Sequence, residues 1–136
     1  MIREYASPAD VELITAHAIT AAGLEAAPPP VPSGLTAPRA VVWRTGGHRI
    51  ALVIDRSIVS VDVYAPTWGA ATDACARAVA AVQDMAGRII DGVQTGGVWI
   101  ITLPYTNPDP DHPTIPRVTF SAEIITKATV TRETGE

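Results

Sequence analysis

The spacing of apolar residues near the start of the chain is that of a helix. Val11, Ile14 and Ala18 recur at intervals of three and four residues, which predicts an amphipathic helix lying on a sheet. Ser7 is a residue type that caps helix N-termini, and Gly23 is the type that ends helices. The pattern therefore predicts a first helix from Ser7 to Gly23.

Alternation of apolar and polar residues replaces the helical spacing after residue 38. Three segments with a period of two predict an antiparallel meander: Ala40–Arg44, Arg49–Ile54 and Val59–Tyr64. Paired glycines supply the positive φ angles that tight turns need, so Thr45–His48 is predicted as the first hairpin turn and Asp55–Arg56 as the second. In the third strand, the alternate valines are predicted to face the core, and the residues between them, with its terminal tyrosine, to face outward.

Helical spacing returns at Pro66 and continues to about Ala86. Two strands follow, at Val98–Leu103 and Arg117–Ile125, and the pair Gly96–Gly97 predicts a bulge. The polar residues 131–136 are predicted to form a tail that is frayed or ordered by a partner. The predicted buried stripe of the second helix consists of Trp68, Ala71, Cys75, Val79 and Val82.

The element order α-β-β-β-α-β-β predicts an α+β fold, with an antiparallel, mixed-order sheet of about five strands and two helices packed on it. A length of 136 residues, 47% of them hydrophobic, corresponds to one domain spanning residues 1–136 around one core. The single Cys75 excludes an internal disulfide, and no apolar run reaches the about 18 residues that a membrane span needs. The first residues lack the apolar region of a signal peptide, so we expect synthesis in the cytoplasm.

The prolines are concentrated in two predicted loops, because ten of the twelve lie in residues 28–38 and 104–116. A proline-dense loop has few backbone conformations when unfolded, so it holds a fixed exposed shape at low entropic cost. We therefore predict that both loops dock against partners rather than perform chemistry. The candidate partner-interface residues are Tyr105, Asn107, Asp109, Asp111, His112, Arg117, Arg39 and Arg44.

The second loop also holds the one metal-like group of residues in the sequence. Asp109, Asp111 and His112 offer oxygen and nitrogen ligands. Interleaved prolines are expected to hold this backbone extended, whereas a metal site needs ligands that converge on one point. Asp and Asn beside proline are also ordinary turn formers, so we favour a turn-rich docking loop over a metal site.

Recognisable catalytic signatures are absent from the sequence. It contains no Gly-x-Ser-x-Gly elbow, no Gly-rich phosphate loop, no His-Glu-x-x-His and no paired-cysteine spacing. Cys75 lies on an apolar helical stripe and is predicted to be inert, and His17 has no partner nearby in the sequence and is predicted to be structural or superficial. We therefore predict a protein that is not an enzyme and uses no cofactor.

The charge balance of the chain argues against a grip on nucleic acid. The formal net charge is -4 and the pI is near 5.3, and no basic cluster compensates locally. Nucleic-acid binding draws most of its affinity from lysine and arginine set against phosphates.

Two passages of the sequence are similar to those of a known family. One is Val61–Trp68 (VDVYAPTW), which leads into the alanine-rich helix. The other is Leu103–Asp111 (LPYTNPDPD), followed by Ile115–Val118 (IPRV). With the element order, they make nearly the whole chain resemble the tail terminator, or tail completion, proteins of long-tailed phages. The resemblance is to those of phages that infect actinobacteria in particular, whose fold is like that of the lambda-type terminator.

The resemblance implies a structural role. In that family, copies form a hexameric ring on the head-proximal end of the tail tube, stop its growth and present the surface that joins the head connector. The implied partners are other copies of the chain, the major tail tube protein and a head-completion or connector protein. DNA would pass through the lumen without specific binding, and no membrane is involved. The implied location is the neck of the virion, after synthesis in the host cytoplasm.

Two other classes of function remain open from the sequence. One is another neck or tail-tube component, such as a head-closure protein, since these also combine a small α+β architecture with ring symmetry. The other is a small ligand-binding or enzymatic domain. That class needs a pocket with converging polar groups, and the loop with Asp109, Asp111 and His112 is the one polar cluster that the sequence supplies.

Overall fold

A computed structural model of the chain describes residues 2–34 and 38–134. This part of the chain forms two helices and eight strands, which confirms the predicted α+β class. The helices are α1 (Val11–Ala21) and α2 (Trp68–Gln83). The strands are β1 (Ile2–Ser7), β2 (Ala26–Ala27), β3 (Arg39–Ala51), β4 (Ile54–Tyr64), β5 (Ile89–Ile90), β6 (Val93–Thr106), β7 (Arg117–Lys127) and β8 (Thr129–Thr134).

Six of these strands form one sheet, in the order β2-β3-β4-β7-β6-β5. The two-residue β2 runs parallel to β3, and every other neighbouring pair in the sheet is antiparallel. The strands β1 and β8 pair antiparallel in a separate two-stranded sheet, which we call the terminal ribbon. The sheet is thus of mixed order, as predicted, with short strands that the sequence analysis did not find.

The core lies between one face of the sheet and the two helices. Helix α1 lies on β3, and α2 lies on β6 and β7. The alternate valines of β4 are fully buried here, as predicted, and Cys75 of α2 is buried among them. Burial raises the pKa of the Cys75 thiol to about 12, so the reactive thiolate is disfavoured. The largest buried residues facing this layer include Phe120, Ile19, Met85, Ile124 and Val82.

Helix α1 begins later than predicted, because the residues before it form β1. Ser7 pairs with Thr129 of β8 and does not cap the helix. Asp10 is the N-cap instead, and its Oδ1 accepts a hydrogen bond of 3.1 Å from the backbone N–H of Leu13. The prediction of a frayed tail is likewise wrong for residues 131–134, which are paired in β8, whereas residues 135–136 lie outside the described part of the chain.

The predicted three-strand meander is in fact a single long hairpin. Strand β3 continues through Gly46 and Gly47 to Ala51, with a bulge between Arg44 and Gly46, so Thr45–His48 is not a turn. Gly47 has a φ of 136°, and a side chain there would collide with the carbonyl oxygen of Arg56 on β4. Its glycine therefore permits a close approach of two strands, not a reversal of the chain.

The reversal of the chain comes at Leu52 and Val53, between β3 and β4. Asp55 and Arg56, predicted as the second turn, are paired residues of β4. By contrast, the bulge predicted at Gly96–Gly97 is confirmed by the register shift between Thr95 and Val98 on β6.

Candidate functional site

Strand β6 forms a long edge of the sheet that is only partly covered. Its first residues are covered, because β5 pairs with Val93 and Gln94, and the backbone of residues 87–88 is hydrogen-bonded to residues 95–96. Within the described residues, no strand pairs with the outer edge of Val98–Thr106. Such an edge presents unpaired backbone groups that invite pairing with another chain.

No charge on β6 discourages that pairing. None of its 14 residues is charged. Natural edge strands are commonly protected by lysine and other charges, by proline, by bulges or by covering elements. Of these features, the free part of β6 has Pro104 and register shifts between Ile100 and Thr102 and between Thr102 and Tyr105. Pro104 is the one residue of β6 that has no backbone N–H to donate. Proline within a sheet is found mainly on edge strands. The absence of charge therefore favours pairing with another strand, while Pro104 and the two irregularities limit its regular length.

Large apolar side chains are exposed along the same strand. Their exposed fractions are 51% for Trp99, 51% for Ile101, 75% for Leu103 and 47% for Tyr105. Contiguous exposed apolar side chains on a soluble domain are characteristic of interaction sites. We call the free edge Val98–Thr106, with these four side chains, the β6 docking surface.

The orientation of Trp99 follows from the glycine bulge beside it. Trp99 lies opposite Glu123 of β7, on the face of the sheet away from the helices. Its indole ring lies over Gly97, where a side chain of any size would collide with it. The bulge thus both bends the edge strand and leaves room for the exposed ring.

The second proline-rich loop is anchored beside this surface by a carboxylate. Asp109 is only 7% exposed. Its Oδ2 accepts a hydrogen bond of 2.7 Å from the Tyr64 hydroxyl and lies 3.0 Å from Nδ1 of His112, and its Oδ1 accepts one of 2.9 Å from the backbone N–H of Asp111. The prediction that Tyr64 faces outward to solvent is therefore wrong, because the loop covers this side chain and it is fully buried.

Arg117 completes this network from the start of β7. Its Nε donates to the backbone carbonyl of Asn107 at 2.6 Å, and its Nη1 donates to the Tyr64 hydroxyl at 3.3 Å. The same guanidinium nitrogen lies 3.7 Å from Asp62 and 3.6 Å from Asp109. One cation is thus shared by two carboxylates, so the loop is joined to β4 and β7 by charge as well as by hydrogen bonds.

The electrostatics of the network favour an ionised carboxylate. Burial alone raises the pKa of Asp109, but the hydrogen bonds from Tyr64, Asp111 and His112 and the charge of Arg117 outweigh it and lower the pKa to about 2. Burial raises the pKa of Tyr64 to about 12, so the phenol keeps the proton that it donates. Near neutral pH the anchor is therefore a carboxylate bound by several donors.

The prolines of the loop were expected to hold its backbone extended, and this prediction is wrong. The backbone N–H of His112 bonds to the carbonyl of Asp109, and that of Ile115 bonds to the carbonyl of His112, so the chain makes successive turns. No group of three or more potential metal-ligating side chains occurs among residues 2–34 and 38–134. The oxygens of Asp109 are instead engaged by donors of the protein itself.

The predicted interface residues therefore fall into three groups. Tyr105 belongs to the β6 docking surface, and Asp111 is exposed just beyond it. Arg44 is exposed on β3, while Arg39 forms an ion pair of 2.7 Å with Glu25. The remaining four anchor or border the loop, and three of them converge on one network: Asp109, His112 and Arg117, with Asn107 bonded through its side chain to Thr119.

A groove of about 550 Å³ lies between α1, the end of α2 and β5. At its rim, Nδ1 of His17 lies 2.5 Å from Oδ2 of Asp91, and both side chains are about half exposed. His17 therefore has a partner that is distant in the sequence, contrary to the expectation from its neighbours. The described residues that line the groove include no side-chain hydroxyl or thiol.

Comparison with known proteins found no family model that matches the chain and no curated protein that matches it. Neither helix of the described residues is long and apolar enough to cross a membrane. The β6 docking surface and the anchored loop beside it are therefore the candidate functional site on geometric grounds.

Proposed function

We propose that this protein is a structural subunit of a long-tailed phage virion. Copies assemble as a hexameric ring at the head-proximal end of the tail tube, end its polymerisation and provide the surface that joins the head. The observation that carries the proposal is the β6 docking surface, an uncharged and exposed strand edge of a kind that a solitary soluble domain avoids.

The anchored loop supports the same proposal. Rigid segments lose little conformational entropy on binding, so a loop held in place by Asp109 and Arg117 is already organised for contact. The loop follows directly from the C-terminal end of β6. An apolar edge and a fixed polar loop thus form one continuous surface, which suits contact with the tail tube protein or the head connector.

The charge of the chain fits a ring around DNA. A formal charge of -4 repels phosphates. DNA would therefore pass through the lumen without being held, since specific or non-specific grip requires neutralising cations. The proposed location is the neck of the virion, after synthesis in the host cytoplasm, with no cofactor and no catalytic role.

The test is electron microscopy of particles made with and without the protein. We expect its loss to leave filled heads and separate tails, some of them overlong, because nothing caps the tube. Supplying the protein from a plasmid should restore joined virions of normal tail length. Normal joined virions in its absence would refute the proposal, as would labelling that locates the protein outside the neck.

A further inference from the structure

The opposite edge of the sheet, formed by β3, is also partly free. Its first residues are covered, because β2 pairs with Ala40 and Val41. Farther along, the carboxylate of Glu12 accepts a hydrogen bond of 2.8 Å from the backbone N–H of Arg44. Among the described residues, no strand pairs with the outer edge of residues 45–51.

The two free edges have complementary directions. Three antiparallel pairings separate β3 from β6, namely β3 with β4, β4 with β7, and β7 with β6. An odd number of reversals makes β3 and β6 antiparallel to each other. A second copy placed beside the first in the same sheet orientation would therefore continue the sheet with an antiparallel ladder.

The two free segments also lie at opposite ends of the sheet. The register places Ala51 of β3 at the same end as Lys127 of β7 and Thr95 of β6. It places Tyr105 of β6 at the other end, opposite Thr119. Strands β2 and β5 thus block opposite ends of the two edges, so copies can meet only with a stagger along the strand direction.

We propose that the free edge of β3 in one copy pairs antiparallel with the β6 docking surface of the next copy. The inference rests on the proposed function, and it specifies which two unlike surfaces hold the ring together. A contact between unlike patches is heterologous, the type that generates rings when its rotation closes. The stagger imposed by β2 and β5 makes each copy shift relative to its neighbour along the strands, so the joined sheets tilt around the ring.

Charge distinguishes this pairing from pairing of two β3 edges. All the ionisable residues of β3 are basic or histidine. Arg39 and Arg49 are ion-paired with Glu25 and Asp55, so the like charge that two β3 edges would bring together is that of Arg44. Strand β6 carries no charge and offers no such repulsion. In the antiparallel arrangement, the exposed Arg44 of one copy lies toward the C-terminal end of β6 in the next, where the exposed Asp111 follows.

Two edge-blocking variants test the proposal, because lysines on an edge strand oppose strand addition. One carries Ile101→Lys and Leu103→Lys on β6, and the other carries His48→Lys and Ile50→Lys on β3; all four side chains are exposed. Sedimentation velocity at rising concentration measures the assembly of each variant, of their mixture and of the wild type. Circular dichroism establishes that both variants are folded.

We expect the wild type to form species larger than a dimer and each variant alone to stay monomeric. The mixture should form dimers and nothing larger, because the intact β3 edge of one variant meets the intact β6 edge of the other. A β3 variant that dimerises alone would show that two β6 edges pair with each other, and would overturn the proposal. A wild type that stays monomeric at every concentration, or variants that assemble like the wild type, would also overturn it.

Hydrogen exchange on the wild-type chain gives a readout that needs no substitution. Assembly should slow the exchange of amides in residues 45–51 and 98–106 together, and unchanged exchange in either segment would count against the pairing. If these tests fail while loss of the protein still yields overlong, unjoined tails, the proposed function stands and the edge pairing is wrong. If the edges pair but virions without the protein are normal, the edge pairing stands and the proposed function is wrong.

Discussion

At the scale of single residues, the anchored loop depends on one carboxylate. Asp109 accepts hydrogen bonds from Tyr64, from the backbone of Asp111 and from a loop histidine, and it lies close to Arg117. The sequence around Asp109 does not predict this role, because its partner Tyr64 is 45 positions away along the chain. The sequence shows which polar residues the loop contains. Which of them points inward depends on Tyr64, and only the fold brings that residue next to the loop.

The pKa of Asp109 predicts how the anchor responds to acid. The folded pKa of about 2 lies below the ordinary value of 3.8, so the ionised carboxylate stabilises the fold above about pH 4 and the contribution is lost as the pH falls through about 2. We expect Asp109→Asn to lower the free energy of unfolding by about 1–3 kcal/mol near neutral pH, since the variant weakens charge-assisted hydrogen bonds. The free energy of unfolding of this variant should also fall less than that of the wild type between about pH 4 and about pH 2.

Urea denaturation at a series of pH values measures both effects. Asp111→Asn is the matched control, because Asp111 is exposed in the same loop and should change neither the stability nor its pH dependence. An Asp109→Asn variant whose stability falls with acid as steeply as that of the wild type would show that this carboxylate is not the anchor.

At the scale of elements, the sequence predicted what local pattern determines and missed what distant pairing determines. Most of the helical stripes, the buried valines of β4 and the bulge at Gly96–Gly97 follow from periodicity and from residue type. The prediction of Trp68 on the buried stripe of α2 is wrong, because this side chain at the first position of the helix is 44% exposed. The terminal ribbon does not, because β1 and β8 come from opposite ends of the chain. The hairpin turn at Leu52 and Val53 has no residue type that favours turns, although Leu52 is 91% exposed. The turn was therefore predicted at the glycine pair earlier in β3.

The glycine pair in β3 provides a test of the long hairpin. Gly47→Ala should lower the free energy of unfolding by about 2 kcal/mol, because the residue has a positive φ and a side chain would collide with the Arg56 carbonyl. Gly46→Ala is the control, since the space around that position is open. Thermal and urea unfolding of the two variants measure the difference. Equal losses would indicate a hairpin tip at these glycines, as the sequence alone suggested.

At the scale of the whole molecule, the features combine into a domain built for contact with neighbours. Helices cover one face of the sheet, and the anchored loop covers part of the other. The two sheet edges remain partly free, and the β6 edge combines exposed apolar side chains with an absence of charge. The sequence predicted that the second proline loop would be an interface. It did not reveal that Trp99, Ile101 and Leu103 are exposed, because strict alternation on a strand does not show which edge stays open.

The most direct measurement compares two tryptophan variants in virion assembly. Trp99 in the β6 docking surface is 51% exposed, and Trp68 at the start of α2 is 44% exposed, so Trp99→Lys and Trp68→Lys are matched in the residue replaced and in its exposure. Each folded variant replaces the protein in particles that lack it, and microscopy records tail length and head joining. We predict overlong, unjoined tails with Trp99→Lys and normal virions with Trp68→Lys. Normal virions with Trp99→Lys would contradict the account.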